Sequence, residues 1–201
     1  MEDYLLSIVL TTVVFIVVYI ILKYFSYSSL SGGGSNLVSS IQDGKTESTY
    51  SGNIQVSQNQ KKGLVFSYTA WILIDDFNYK YGEPKIIFTK GTPDLKISCP
   101  ALVIDPNTNS LLIYIDTYGT KEIIPISNIP AKKWLHVGIV VDQYSTNIYI
   151  NGTLHTHHTL NQLPKQNSAN VLITPKGGFN GKVGLIDYYP TLLDQNDIYN
   201  L

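Results

Sequence analysis

Residues 134–158 read WLHVGIVVDQYSTNIYINGTLHTHH, and the folding of this stretch decides the architecture of the chain. Two runs rich in β-branched and aromatic residues, 134–142 and 147–151, are separated by Asp-Gln-Tyr-Ser, and a third run, 153–158, follows Asn151-Gly152. Asn-Gly is the preferred pair for a type I′ hairpin because both residues tolerate positive φ. The stretch therefore reads as three strands joined by two turns. A period of two puts Trp134, His136, Gly138 and Val140 on one face of the first strand and Leu135, Val137, Ile139 and Val141 on the other. A strand apolar on both faces lies centrally in its sheet.

The same grammar extends from Gly63 towards the C-terminus. Residues 64–75, 85–90, 101–105, 111–116, 122–126, 170–174 and 182–189 are further short β-type runs, punctuated by Tyr-Gly-Glu-Pro, Gly-Thr-Pro-Asp, Asp-Pro-Asn-Thr-Asn and Lys-Gly-Gly. About ten strands at this spacing predict an all-β fold of two packed antiparallel sheets.

The N-terminus is of another kind. From Tyr4 to Leu22 there are 19 residues without a charge, which as a helix would extend about 28 Å, close to the roughly 30 Å of a bilayer core. A cleaved signal would want a basic start, a shorter apolar run and a small-residue exit, whereas this segment opens Met-Glu-Asp and leaves through Lys23-Tyr24-Phe25. The expectation is a single transmembrane α-helix over 1–25. Tyr4, Leu5, Leu10, Phe15, Tyr19 and Leu22 would face lipid or the interface, and Lys23 would mark the inner side. That bias predicts a single-pass protein with its C-terminal domain facing the cytosol. The sequon Asn151-Gly152-Thr153 would carry a glycan only if the domain were exported, and it is also the hairpin turn already described. Residues 26–52, rich in Ser and Gly, predict a flexible tether, leaving 53–201 for the sandwich.

The formal charge is −1, and beyond Lys23 lysines and acidic residues balance, so no field draws polyanions and nucleic acid is not an expected partner. All 14 basic residues are lysine, which removes the planar fork that binds phosphate bidentately. The solitary Cys99 cannot form an internal disulfide, so the fold does not depend on oxidation.

The order of an aromatic strand with Trp71, IIFTKG (86–91), DPNTNSLLIYID (105–116), KKWLHVGIVVD (132–142), IYINGTL (148–154) and GGFNGKVGLIDYYPTLLDQNDI (177–198) resembles the concanavalin A-like lectin/glucanase superfamily in its laminin-G-like form. The resemblance implies a jelly roll that binds glycans or proteins. The pairing of such a domain with a membrane helix, in an Ile/Asn/Tyr/Lys-heavy chain, is similar to the layout of capsid-associated membrane proteins of large nucleocytoplasmic DNA viruses. That layout implies a non-enzymatic minor capsid protein of the virion, lying between an internal membrane and the shell. Its partners would be the lipid bilayer and capsid or other shell proteins. The alternative is a membrane-displayed, lectin-like module whose partners are glycans.

No catalytic set, cofactor or metal site is expected. Glucanases of this superfamily use a Glu-x-Asp-x-x-Glu strand to place two carboxyl groups across the bond, and here only Glu47, Glu83 and Glu122 lie beyond the anchor, far apart. His155 and His157 share a face of their strand, with His158 opposite, but no Cys or carboxylate stands near them to complete a metal site. His136 reads as a satisfied, partly buried histidine, and Cys99 before Pro100 has no activating context. The resemblance names Asp105, Asp116 and Asp142 as the loop carboxylates to inspect for calcium. Fifteen tyrosines supply rigid amphipathic contact area, and Tyr79, Tyr81, Tyr118 and Tyr144, with Tyr188 and Tyr189, fall in or near predicted turns where they would form a contact surface.

Overall fold

The computed structural model describes residues 2–30, 34–55, 57 and 64–201, and in the first helix the side chains of Tyr4 and residues 9–22. The chain divides into two compact units between Gly33 and Gly34.

The first unit is helix α1 (Glu2–Leu30). Its described apolar side chains, Leu10, Phe15, Tyr19 and Leu22 among them, are exposed on every side of the helix, as is Tyr4. Among the described residues no helix is long and apolar enough to cross a membrane. The side chains of Leu5 and Lys23, expected at the two ends of a span, lie outside the described residues.

The second unit is a two-sheet antiparallel sandwich. Its strands are β1 (Ser35–Val38), β2 (Gln42–Asp43), β3 (Ser48–Tyr50), β4 (Val65–Ile74), β5 (Lys85–Gly91), β6 (Ser98–Ile104), β7 (Leu111–Ile115), β8 (Glu122–Ile126), β9 (Trp134–Asp142), β10 (Ser145–Ile150), β11 (Thr153–Thr159), β12 (Val171–Ile173) and β13 (Gly181–Tyr189), followed by a short helix α2 (Gln195–Tyr199). One sheet runs β1-β13-β4-β9-β10-β11 with β2 also on β13, and the other runs β3-β12-β5-β6-β7-β8. The order is non-sequential, as in a jelly roll, so residues distant in sequence meet at each end of the sandwich.

The alternation read from residues 134–142 holds. β9 lies between β4 and β10, and its Leu135, Val137, Ile139 and Val141 join Phe66, Tyr68, Ile72, Phe88, Leu102 and Ile113 in the core between the sheets. Each such buried side chain contributes on the order of 1.5–3 kcal/mol. The other face of β9 is covered by the C-terminal segment, where Val140 packs with Tyr149, Leu193 and Ile198. Gly138 makes room for this, because a Cβ there would stand 2.7 Å from Ile198 Cδ1. Asp194 caps α2 reciprocally with Asp197, and Ser67 fastens the segment by donating to Thr191 O at 2.8 Å and accepting from Leu193 N at 3.0 Å.

One boundary differs from expectation. The sandwich begins at Ser35, so 34–52, read as tether and placed outside a domain starting at 53, contributes three short strands to the sheets. Its Ser-rich strands are held by backbone pairing at the sheet edges rather than by large side chains, with Leu37 and Val38 alone entering the core from β1. Asn36 Nδ2 donates to Asp187 Oδ1 at 2.7 Å. The two remaining edges resist further pairing: β8 carries Pro125, which has no N–H, and β11 is broken by a bulge at His155.

Candidate functional site

At one end of the sandwich β3 and β5 finish and β4 and β6 begin, and the sheets part around a cavity of about 590 Å³. Its inner wall is aromatic. Tyr68 stacks on Phe88 at 5.5 Å, meets Phe66 edge-on at 5.9 Å and lies 5.0 Å from Tyr188. These residues line the space because the period of two turns Phe66 and Tyr68 inward from β4 just where the strand starts. Burial pushes the Tyr188 phenol up to about 12, so it stays neutral, and its OH donates to Gln55 O at 2.7 Å. Burial, with Asp116 nearby, pushes the Cys99 thiol up to about 12 as well; the sulfur in this cavity is a thiol, not a nucleophilic thiolate.

The rim is made of amides and one cation. The segments 50–55 and 166–170 bring Asn53, Gln55, Gln166, Asn167 and Asn170 to the opening. Asn167 shapes the second segment, donating from Nδ2 to Lys90 O at 2.9 Å and accepting from Ala169 N at 3.1 Å. That arrangement places Ala169 O against Lys90 Nζ, which donates to it. Among the described residues of the lining, Lys90 is the one charged residue and none is a carboxylate.

The expected tyrosine surface does not form as one patch. Tyr188 and Tyr189 are buried. Tyr79 is half-buried, its OH donating to Gly177 O at 3.1 Å and its ring facing Lys45 Nζ at 4.9 Å. Tyr81, Tyr118 and Tyr144 are exposed, but on opposite ends of the sandwich. Tyr81 follows the end of β4, whereas the turn holding Tyr144 adjoins its start, where Gln143 N donates to Leu64 O; ten residues of strand, roughly 33 Å, separate them. Tyr118 is at the Tyr144 end, tied through Tyr118 N to Leu163 O and Leu160 N to Tyr144 O.

The histidines have structural places. His136 stacks on Trp71 at 4.7 Å, and its backbone N–H donates to Asn151 Oδ1 at 2.9 Å. Asn151 and Gly152 hold φ of 50° and 76°, the turn their sequence implies. The bulge removes His155 from the alternation that would have set it beside His157, which donates to Asn147 Oδ1 at 2.6 Å. His158 Nε2 meets Glu122 Oε2 at 2.7 Å, and Glu122 Oε1 accepts from Asn161 N at 2.7 Å. This clasp joins the edge strands of the two sheets, and sequence reading missed it because the partners are 36 residues apart. Among the described residues no group of three or more His, Cys, Asp or Glu is placed to hold a metal ion. Asp105 closes its own turn through Asn107 N and Thr108 N. Asp116 accepts from Ser98 N and pairs with Lys121 at 3.2 Å.

Burial pushes His136 down to about 4, which gives a pH prediction. The unfolded state binds this proton near the ordinary histidine value while the folded state resists it. Stability from this group is therefore full above about pH 6.5 and is lost as pH falls towards 4, by roughly 2–3 kcal/mol. His136→Phe is expected to flatten that part of the profile in urea unfolding at stepped pH. An unchanged slope would mean that another group carries it.

Residues 46–201 of this two-sheet jelly roll match the laminin G form of the Concanavalin A-like lectin/glucanases superfamily, and the chain belongs to that superfamily. Over 126 residues, 55% of this chain and 19% of the relative, it is 28% identical to SH2 domain-containing protein A of Arabidopsis thaliana. In fold it is similar to the receptor binding domain of botulinum neurotoxin D, with TM-score 0.64 and 13% identity, covering 85% of this chain and 48% of that one. It is likewise similar to the binding domain of botulinum neurotoxin DC in complex with rat synaptotagmin II, with TM-score 0.57 and 19% identity over 85% and 46% of the two chains. The chain thus spans about half the length of these solved structures and about a fifth of the plant protein.

Proposed function

We propose that this chain is a non-enzymatic recognition module whose sandwich takes its ligand at the cavity and whose N-terminal helix holds it at a lipid bilayer. The observation that carries the reading is the cavity lining, which among the described residues has an aromatic inner wall, an amide rim and one lysine, without the pair of carboxylates that glycoside hydrolysis requires. A volume of about 590 Å³ falls within the range of small-ligand sites. The superfamily and the receptor-binding role in the names of the toxin domains support recognition by contact on this fold. The membrane role is supported by α1, whose side chains from Val13 to Leu22 are apolar and exposed all round rather than along one stripe.

A second reading is the shell linker: a minor capsid protein of a large DNA virus, bridging an internal membrane and the capsid with its sandwich on the cytosolic side. The observation that favours it is the division of exposed tyrosines between two ends, Tyr81 at one and Tyr118 with Tyr144 at the other, which suits a domain touching two neighbours. Protease protection of intact membranes or particles, combined with cross-linking mass spectrometry, separates the two. The recognition reading expects an accessible sandwich with cross-links concentrated at 50–55 and 166–170. The linker reading expects protection, with cross-links from both ends to one shell protein.

A further inference from the structure

We infer that the open half of the outer face of the β1-β13-β4-β9-β10-β11 sheet rests on an anionic phospholipid bilayer through Trp134, Leu185 and Ile41. This rests on the reading that α1 holds the chain at lipid, and adds the surface by which the sandwich meets it. The C-terminal segment covers only one half of that face, where Val140 and Tyr149 pack with Leu193 and Ile198. The other half is built by Trp71 and Leu73 of β4, Trp134 and His136 of β9, and the bulge of β13. At the bulge Val183 and Ile186 both enter the core, and Leu185 between them lies outside.

Trp134 does not stand up from this face. Neighbouring strands lie about 4.8 Å apart and β4 separates β9 from β13, yet a Cβ at Gly184 would be 3.4 Å from Trp134 Cζ3. The indole rooted on β9 therefore lies flat across β4. Gly184 allows it, because a Cβ there would also stand 2.9 Å from Trp71 Cβ. Trp71 is half-buried and stacks on His136 at 4.7 Å, which fixes the floor. The surface left open is flat and apolar: Trp134 is 37% exposed, Leu185 42%, and Ile41, which precedes the β2 pairing to β13, 64%. Exposed apolar patches of this kind mark contact sites for proteins or membranes.

Charge selects between these. Lys132 and Lys133 lead into Trp134, Lys182 stands in register with Leu73, and all three are exposed. Among the described residues the ion pairs are Lys96 with Asp94, Lys121 with Asp116 and His158 with Glu122, so these three lysines carry none. The carboxylates at the margin are Asp43 and Asp75, and Asp43 Oδ1 already accepts from Lys45 N at 2.7 Å. A flat indole with branched aliphatic neighbours and flexible ammonium groups suits the headgroup level of a bilayer, where apolar groups enter the acyl boundary and lysines reach the phosphates. A second copy fits less well, because three partly exposed side chains fall far short of the roughly 800 Å² per partner of a standard interface. A partner strand would need a free sheet edge, and β4 is paired on both sides.

Both tryptophans of the chain lie on this face and none in α1, so tryptophan emission reads the proposed contact directly. The test reconstitutes the full chain in vesicles of phosphatidylcholine, with or without about 30% phosphatidylserine, and measures quenching by lipids brominated on the acyl chains. Expected are quenching at least about twofold greater on the anionic vesicles, its reduction by 500 mM NaCl, and its loss in Leu185→Glu, an exposed position whose change spares the core. The comparison of the two vesicles on the unaltered chain decides the matter even if the variant misfolds. Vesicle-bound chain with unquenched tryptophan, or with equal quenching on both vesicles, overturns the inference and leaves the α1 reading standing. Quenching unchanged in folded Leu185→Glu, or emission that shifts with protein concentration rather than with lipid, overturns it as well. Chain that fails to sediment with vesicles removes the α1 reading and the inference together.

Discussion

Removing residues 1–30 is expected to move the protein completely from the detergent phase to the aqueous phase in a cloud-point separation, while leaving the sandwich folded. The described part of α1 carries an unbroken run of large apolar side chains from Val13 to Leu22, all exposed in the chain by itself. Each Leu, Ile, Val or Phe at the centre of a membrane helix favours insertion by roughly 0.3–0.6 kcal/mol, and no charge opposes them over that run. The sandwich has its own core and divides from the helix between Gly33 and Gly34, so truncation there cuts no strand. The check is immunodetection in the two phases together with near-UV circular dichroism of the truncated chain. Full-length protein recovered in the aqueous phase would mean that the helix serves a protein partner instead of lipid.

Phe88→Ala is expected to cost about 3–5 kcal/mol, the largest stability loss of any single substitution considered for this chain. Phe88 is fully buried and lies under Tyr68, with ring centroids 5.5 Å apart. Deleting the ring leaves a void that the two hydrogen-bonded sheets cannot close, and it also removes the floor on which Tyr68 presents itself to the cavity. A fall in the unfolding midpoint of roughly 10 °C should accompany it, with ligand binding at the cavity weakened in the variant that remains folded. A loss under about 1 kcal/mol would show that the two sheets repack across the gap.

Much of this fold is legible in the sequence, for a physical reason. Strands β4 to β13 are runs such as IIF, LLIYI and WLHVGIVVD, whose β-branched and aromatic residues suit a pleated, buried surface, and each is bounded by a residue pair that turns the chain. Strands β1 to β3 are not legible, because SNLV, QD and STY owe their strand geometry to the partners β13 and β12 rather than to their own side chains. Helix α2 is too short to show a period, and its capping by Asp194 and Asp197 is seen only in the structure.

The site was harder to see than the fold. Tyrosine abundance pointed to contact area, but Tyr188, expected near a turn as part of an exposed surface, lies buried on the inner face of β13. Lys90 looked like one lysine among 14. Its place in the cavity depends on Asn167 and Ala169, brought to it from the β11–β12 connection, in a lining whose described residues come from six separate segments. No local pattern encodes that juxtaposition.

The central claim is recognition without chemistry at the end cavity, and the most direct measurement compares glycan-array binding of the full chain with that of Ala169→Trp, which plugs the rim. The account predicts a selective set of bound glycans, recovered uncleaved, that the plugged variant loses while keeping its unfolding midpoint. Binding that survives the plug unchanged, or glycans released as shorter products, would contradict it.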